Sequence, residues 1–206
     1  WKDGNMDGPG VFSYSNGDKY DGSWKDDYRN GFGTLTIANG DVFSGEWLDG
    51  MLTGAGKYQY NSGDIYEGEF INGRYNGEGT FTFSNGDVYT GNWKYDKMDG
   101  IGRMNYSNGN IYEGEWADGL NHGDGTFTFS NGDVYEGEFI NDSMSGYGRY
   151  QYSNGDSYQG MYLNRLKSGY GIYTYKNNDT YSGNWLNDHK ENFGVFLDSM
   201  PDTWGK

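Results

Sequence analysis

The chain has 206 residues and a formal charge of −15, a balance that excludes non-specific attraction to nucleic acid or to an anionic membrane surface. Leu, Ile, Val and Phe make up less than a fifth of it, too little for an ordinary aliphatic core, so 21 Tyr, 11 Phe and 7 Trp must supply the buried area. With no cysteine, disulfides, thiolate metal sites and thiol nucleophiles are excluded, which fits a reducing compartment, and neither a signal peptide nor an apolar run of membrane-spanning length is visible.

In chain order, Trp1 holds the second aromatic place of a truncated first unit, so the sequence is expected to be a piece of a longer protein. The units that follow open on Tyr20, Phe43, Tyr66, Tyr89, Tyr112, Tyr135, Tyr158 and Tyr181, at a constant interval of 23. Two positions on stands an unbroken glycine series, from Gly22 and Gly45 to Gly160 and Gly183. A second aromatic follows two later: Trp24, Trp47, Phe70, Trp93, Trp116, Phe139, Tyr162 and Trp185. A period of two puts the rings and the glycine on one face of a strand, with residues such as Glu67 and Glu69 on the other.

The second half of each unit alternates in the same way, as in Thr80-Phe81-Thr82-Phe83 and Thr126-Phe127-Thr128-Phe129, and predicts a second strand. Between the two strands a polar loop of about six residues is expected, closing on Gly-x-Gly at Gly77 to Gly79 and Gly123 to Gly125. Asn-Gly-Asp joins successive units at Asn39 to Asp41, Asn85 to Asp87 and Asn131 to Asp133. Asn and Gly both tolerate positive φ, so a tight hairpin turn is expected there.

The chained hairpins predict an all-β fold: an elongated, single-layer antiparallel meander of nine repeats, with about eighteen strands and a length of roughly 85 Å. The aromatic rows must cover its apolar face by packing on one another, with each strand glycine making room for a ring from the neighbouring strand. Tyr66, Phe70, Tyr89, Trp93, Tyr112, Trp116, Tyr135 and Phe139 are the expected lining of an aromatic groove that receives a partner helix or sheet.

The run Tyr-Glu-Gly-Glu-Trp-Ala-Asp-Gly-Leu-Asn-His-Gly-Asp-Gly from Tyr112 to Gly125 resembles the MORN repeat consensus over nearly its full length. Every unit from Tyr20 on carries the aromatic, glycine, aromatic trio, and the second glycine of Gly-x-Gly recurs from Gly10 to Gly194. Choline-binding cell-wall repeats also build hairpins from glycine and aromatics, but with a shorter period and a different Gly-Trp and Trp-Tyr-Tyr arrangement. The array spans 1–198, and 199–206 form a C-terminal tail. Its last copies degenerate: Asn178 enters a turn, Asn192 replaces the first loop glycine, and Asp198 takes a place that is apolar elsewhere. The resemblance implies a cytoplasmic protein on the cytoskeleton or the cytoplasmic face of a membrane, similar to the MORN-only cytoskeletal scaffolds of protozoan parasites.

No catalytic, cofactor or metal site is expected. Glu67, Glu69, Glu113, Glu115, Glu136 and Glu138 read as a solvated face that keeps a long sheet soluble. The family's loop histidine survives only at His122, and His189 with Asp188 and Glu191 offers too few ligands in one chain. The expected function is a non-enzymatic scaffold for other cytoskeletal or scaffold proteins. The alternative is a phospholipid-binding or membrane-targeting module, including one that belongs to a larger enzyme such as a lipid kinase or a methyltransferase. The overall charge counts against it, and only Lys25, Arg29, Arg165 and Lys167 offer weak contact to single head groups.

A homodimer is expected through the C-terminal repeats. The outward residue after the strand glycine is Ser23, Glu46, Glu69, Asn92, Glu115 and Glu138, then Met161. On the second strand, polar residues give way to Ile172, then to Val195 and Leu197, with Phe193 beside them. Such an apolar patch at an open edge marks an interface, unless Phe196, Met200 and Trp204 fold back over it as a cap.

Overall fold

A computed structural model describes residues 1–191 and 193–199; Asn192, Met200 and Trp204, and with the last two the rest of 200–206, lie outside the described residues. The chain forms two compact units, Trp1–Ser107 and a second beginning at Asn108. In the first, β1 (Gly8–Ser13), β2 (Lys19–Lys25), β3 (Tyr28–Thr36), β4 (Val42–Leu48), β5 (Met51–Gln59), β6 (Ile65–Ile71), β7 (Arg74–Thr82), β8 (Val88–Lys94) and β9 (Lys97–Asn105) run as a meander, each antiparallel to the next. In the second, β10 (Ile111–Ala117), β11 (Leu120–Thr128), β12 (Val134–Ile140), β13 (Ser143–Gln151), β14 (Ser157–Leu163), β15 (Leu166–Thr174) and β16 (Thr180–Leu186) do the same. The last strand is broken into β17 (His189–Lys190) and β18 (Val195–Leu197), both paired with β16. The fold is therefore all-β, an antiparallel meander of nine 23-residue hairpin repeats, with strands where the period-two alternation places them.

The turns differ from expectation. No six-residue loop separates the two strands of a described repeat. Two residues suffice, and both take positive φ: Asp26 and Asp27 at 47° and 67°, Asn72 and Gly73 at 52° and 76°, Asn141 and Asp142 at 48° and 64°. These are type I′ turns, whose twist matches that of the flanking strands. The stretch that reads as loop is instead the start of the second strand. The pairing of β2 with β3 jumps from Trp24↔Arg29 to Gly22↔Gly33, so Asn30, Gly31 and Phe32 form a bulge, and Gly31 sits at φ 84°.

At the Asn-Gly-Asp connections only the glycine has positive φ, as at Gly40 and Gly86. Gly40 N–H donates to the Ile37 carbonyl at 2.9 Å and Ile37 N–H to the Asp41 carbonyl at 2.8 Å, the pattern of a β-turn followed by a glycine bulge. Asn39 stays in the ordinary region, and its side chain ties the turn locally, with Oδ1 accepting the Asp41 N–H at 2.9 Å.

Gly22 and Gly137 serve a different ring from the one expected. Gly137 and Gly148 face each other across β12 and β13. A Cβ on Gly148 would stand 2.5 Å from the Tyr135 hydroxyl, and one on Gly22 would stand 2.6 Å from that of Tyr20. For Gly22 and Gly137 the ring that needs the space thus belongs to the tyrosine two residues earlier on the same strand, and for Gly148 the same Tyr135 ring reaches over from the neighbouring strand.

Candidate functional site

Tyr20, Tyr66, Tyr89, Tyr112, Tyr135 and Tyr158 are wholly buried. Each phenol reaches along its own strand to donate to the carbonyl three residues on: Tyr66 to Glu69 at 3.0 Å, Tyr112 to Glu115 at 2.8 Å, Tyr135 to Glu138 at 3.0 Å. Burial raises the Tyr20 and Tyr158 phenols to about 12, so they remain donors at neutral pH. Tyr20, Tyr66, Tyr112, Tyr135 and Tyr158 are each gripped edge-on by the second aromatic of their own repeat and that of the next. Tyr20 meets Trp24 at 4.9 Å and Trp47 at 5.5 Å; Tyr135 meets Phe139 and Tyr162, each at 5.2 Å. The indoles also cross the seam between repeats, with Trp47 Nε1 donating to Gly33 O at 3.0 Å and Trp93 Nε1 to Gly79 O at 3.1 Å.

The residues of the expected groove stand in these rows. In the first unit Tyr66, Phe70, Tyr89 and Trp93 are all buried, as are Tyr112, Trp116, Tyr135 and Phe139 in the second. Open surface on this face comes instead from two outer rows that the groove assignment passed over, Tyr58, Phe81, Phe127, Tyr150 and Tyr173, and Tyr60, Phe83, Phe129, Tyr152 and Tyr175, all partly exposed. Their signal was the Thr-Phe-Thr-Phe alternation at the end of each second strand. Neighbouring rings touch: Tyr58 and Tyr60 stack at 3.8 Å, Phe81 meets Phe83 at 4.5 Å, and Tyr150 meets Tyr152 at 4.5 Å. Phe43 departs from the pattern. It is only half-buried and stacks on Tyr58 at 3.8 Å, while Leu52, at 2 % exposure, fills the interior nearby.

A row of carboxylates borders these rings. Asp41 Oδ1 accepts the Asn61 N–H of the next repeat at 2.8 Å, and Oδ2 accepts the Tyr58 hydroxyl at 2.8 Å. The first of these bonds recurs from Ala38 to Asp18, Ser84 to Asp64, Ser107 to Asp87, Ser153 to Asp133, Lys176 to Asp156 and Ser199 to Asp179. Asn110 takes the same role for Ser130 at 2.9 Å. The Asn61 N–H and the Tyr58 hydroxyl hold Asp41 below the usual carboxylate range. At Asp87 the Ser107 N–H and the Asn85 side chain do the same. Burial opposes ionisation at Asp133, yet the Ser153 and Tyr150 bonds leave it lowered. Tyr58, Tyr150 and Tyr173 are raised, first by burial and then by their bonds to these carboxylates.

A second line of bonds runs along the type I′ turns. Asp96 Oδ1 accepts Tyr75 N–H and Asp142 Oδ1 accepts Asn121 N–H, each at 2.8 Å and each from the preceding hairpin. On the outer face, Glu115 Oε1 accepts Asp124 N–H at 3.3 Å and Glu138 Oε1 accepts Tyr147 N–H at 3.4 Å. These two glutamates therefore close over the bulges. Among the described residues no three His, Cys, Asp or Glu side chains come close enough to hold a metal ion.

Three of the four basic residues singled out in the sequence have partners within the fold. Arg29 Nη2 donates to Gly50 O at 2.7 Å while its guanidinium lies 4.4 Å from the Trp47 ring. Arg165 Nη2 donates to Asp142 O at 2.9 Å. The Lys167 ammonium stands 5.5 Å from both Tyr152 and Tyr158, 5.6 Å from Trp185 and 3.7 Å from the Asp188 carboxylate. Lys190 repeats that arrangement over Tyr181 and Tyr175. Lys25 is exposed.

The residues of the expected dimer face are exposed: Met161 43 %, Ile172 42 %, Val195 57 %, Leu197 60 % and Phe193 95 %. Pairing sets Ile172 opposite Ser182, and Ser182 opposite Val195, so a polar residue divides the apolar ones. Tyr147 lies opposite Met161 and is also exposed, as is Tyr170. The middle place of Gly-x-Gly is charged at Glu78 and Asp124 but apolar at Phe32, Ala55 and Ile101, so it gave no consistent signal for either residue. Phe196 is half exposed and lies 5.9 Å from Tyr175.

A meander of glycine-paired hairpins, sewn together by aspartates and clasped tyrosines, defines a hairpin-repeat protein. The MORN repeat profile matches it nine times, at residues 1–19, 20–42 and onward at the same spacing to 181–200. The chain belongs to the MORN repeat family, whose repeat is a non-enzymatic module of scaffolds and membrane-binding proteins. No curated protein matches it significantly. Among solved structures it is similar to the TCP domain of Drosophila melanogaster SAS-4 (dCPAP) in complex with a proline-rich motif of Ana2, with 13 % identity, TM-score 0.46, and 84 % of this chain and 86 % of that one covered. The TCP10 domain of Danio rerio CPAP with a STIL peptide gives 13 % identity, TM-score 0.46, and coverage of 92 % and 93 %. Overlap at that level says nothing about what this chain binds. No helix of the described residues is long and apolar enough to cross a membrane.

Proposed function

We propose that the chain is a non-enzymatic scaffold that joins protein partners, a second copy of itself among them, in a structure on the cytoskeleton or at the cytoplasmic face of a membrane. The observation that carries this reading is the change of the outer face along the second unit. Glu115 and Glu138 occupy it in earlier repeats, whereas Met161, Ile172, Val195 and Leu197 stand exposed in the last ones. They lie beside β18, which among the described residues pairs on one side only. An apolar face at an open strand edge favours association, and a two-fold pair is the commonest closed arrangement for such a self-complementary patch. The polar side chains support the same reading, because they bond one by one to backbone groups of adjoining repeats instead of converging on a reacting centre.

Light scattering on the chain, and on a Met161→Glu, Ile172→Glu, Leu197→Glu variant, tests the self-association. The parent is expected to be a dimer and the folded variant a monomer. A monomeric parent, or a folded variant that stays dimeric, would reject that face as the interface.

A further inference from the structure

We propose that the first unit, Trp1–Ser107, binds a basic, proline-rich segment of a partner protein, lying in polyproline II conformation across the repeats on the ledge formed by Tyr14, Ile37, Tyr60, Phe83 and Tyr106. The proposal rests on the scaffold reading above and names the class of partner for one face. The five ledge residues occupy the same place in successive repeats. Each is partly exposed, whereas Tyr20, Tyr66 and Tyr89 further in are wholly buried. The ledge backbone is already engaged, since Tyr14, Ile37, Tyr60 and Phe83 each donate their N–H to a carbonyl across the turn. What the ledge has left to offer is a row of apolar side chains with no free backbone groups, which rules out adding a strand and suits a ligand that needs no backbone pairing.

Spacing selects the conformation of that ligand. One repeat advances by two strands, about 9.6 Å at ~4.8 Å per strand. Three residues of polyproline II advance about 9.3 Å, so every third residue of the ligand returns to the ledge. Seven residues of an α-helix advance about 10.5 Å. Over the four intervals from Tyr14 to Tyr106 the polyproline II ligand drifts by only about 1 Å, whereas the helix drifts by about 3.6 Å, over a third of a repeat.

Charge selects its composition. Asp18, Asp41, Asp64 and Asp87 run beside the ledge, and among the described residues none of them pairs with a cation; their bonds are to backbone N–H groups and to Asn, Ser and Tyr side chains. The second unit shows what such rings accept. There the chain's own Lys167 and Lys190 place their ammonium groups over Tyr152, Tyr173 and Tyr175. In the first unit the place corresponding to those lysines holds Arg29, whose guanidinium lies over Tyr20 and Trp47, and then Leu52, Tyr75 and Met98 in the next three repeats, so a cation over Tyr60 or Phe83 has to come from outside.

The test titrates a twelve-residue (Pro-Pro-Arg)4 peptide into the full chain carrying labelled isoleucine methyl groups, with (Ala-Ala-Arg)4, of equal charge, as comparison. The Ile37 methyl is expected to shift and that of Ile101, exposed on the opposite face, to stay in place. The proline peptide is expected to bind at least about tenfold more tightly than the alanine peptide, with affinity falling as salt rises. Tyr60→Ser with Phe83→Ser is expected to weaken it by a similar factor; if that variant does not fold, the methyl map of the unaltered chain decides. Equal binding of the two peptides would show plain charge attraction and overturn the proposal. A tighter alanine peptide that moves Ile37 would overturn the polyproline assignment while leaving the scaffold reading in place. Shifts that spare Ile37 would overturn the ledge itself, with self-association still judged separately by light scattering.

Discussion

Trp47 donates its indole N–H to the Gly33 carbonyl at 3.0 Å, across the seam between two hairpins. The same ring closes over Tyr20 at 5.5 Å, so one side chain supplies both a polar and an apolar tie between repeats. Trp47→Phe keeps most of the ring and leaves the carbonyl without its donor. A loss of about 1–2 kcal/mol is expected, read as a lower urea midpoint with an unchanged slope. An unshifted midpoint would mean that the indole bond adds nothing.

Two glycines separate steric need from conformational need. Gly148 has ordinary φ, and a Cβ there meets Tyr135, whereas Gly119 sits at φ 88° with nothing within 4 Å. Gly148→Ala is therefore expected to cost about 2–4 kcal/mol through displacement of a buried ring. Gly119→Ala should cost only about 1 kcal/mol, from the left-handed turn position. The reverse order of melting temperatures would contradict the flat placement of Tyr135 over its glycine pair.

The aspartate row makes stability depend on acid. Hydrogen bonds lower the pKa of Asp41, Asp64, Asp87, Asp156 and Asp179 below their ordinary value near 3.8. A lowered folded-state pKa stabilises above the unfolded value, and that contribution disappears as pH falls through the folded one. The melting temperature should therefore be flat from pH 7 to about 5 and drop below about pH 4. A melting temperature constant down to pH 2 would disprove the linkage.

Asn110 provides a natural control for that row, because its Oδ1 accepts the Ser130 N–H without a charge. Asp87→Asn keeps the acceptor but not the charge, so it should lower stability slightly at pH 7, converge on the parent in acid, and so reduce the acid sensitivity. Asp87→Ala leaves the Ser107 N–H without its acceptor and is expected to cost about 1 kcal/mol. Equal melting of the alanine and asparagine variants would show that the bond does not matter.

Tyr162 carries a buried hydroxyl with no hydrogen-bond partner among the described residues, and burial raises its pKa. Phe70 and Phe139 fill the same place in other repeats and are buried as completely. Tyr162→Phe is expected to raise stability by up to about 1 kcal/mol, because it removes a desolvated polar atom while keeping the ring. A lower melting temperature would show that the hydroxyl has a partner after all.

The sequence by itself determined the repeat, the hairpin and the strand faces. These are local: a strand alternates its side chains every residue, so Tyr-x-Gly-x-Trp and Thr-Phe-Thr-Phe announce their faces without reference to anything distant. Tertiary structure decided three further matters. It placed the type I′ turns at Asp26-Asp27 and its counterparts and made Gly31 part of a strand, because a bulge is defined by the partner strand it faces and is absent from the composition of the bulged one. It decided which aromatics are core and which are surface: Tyr66 and Phe83 both alternate correctly, but only Tyr66 is clasped by Phe70 and by Trp93 of the next repeat. And it gave the turn aspartates their purpose, since Asp41 bonds to Asn61, twenty residues on and one repeat away. A period shows that positions are equivalent, but the depth of a side chain depends on neighbours that only the assembled sheet brings beside it.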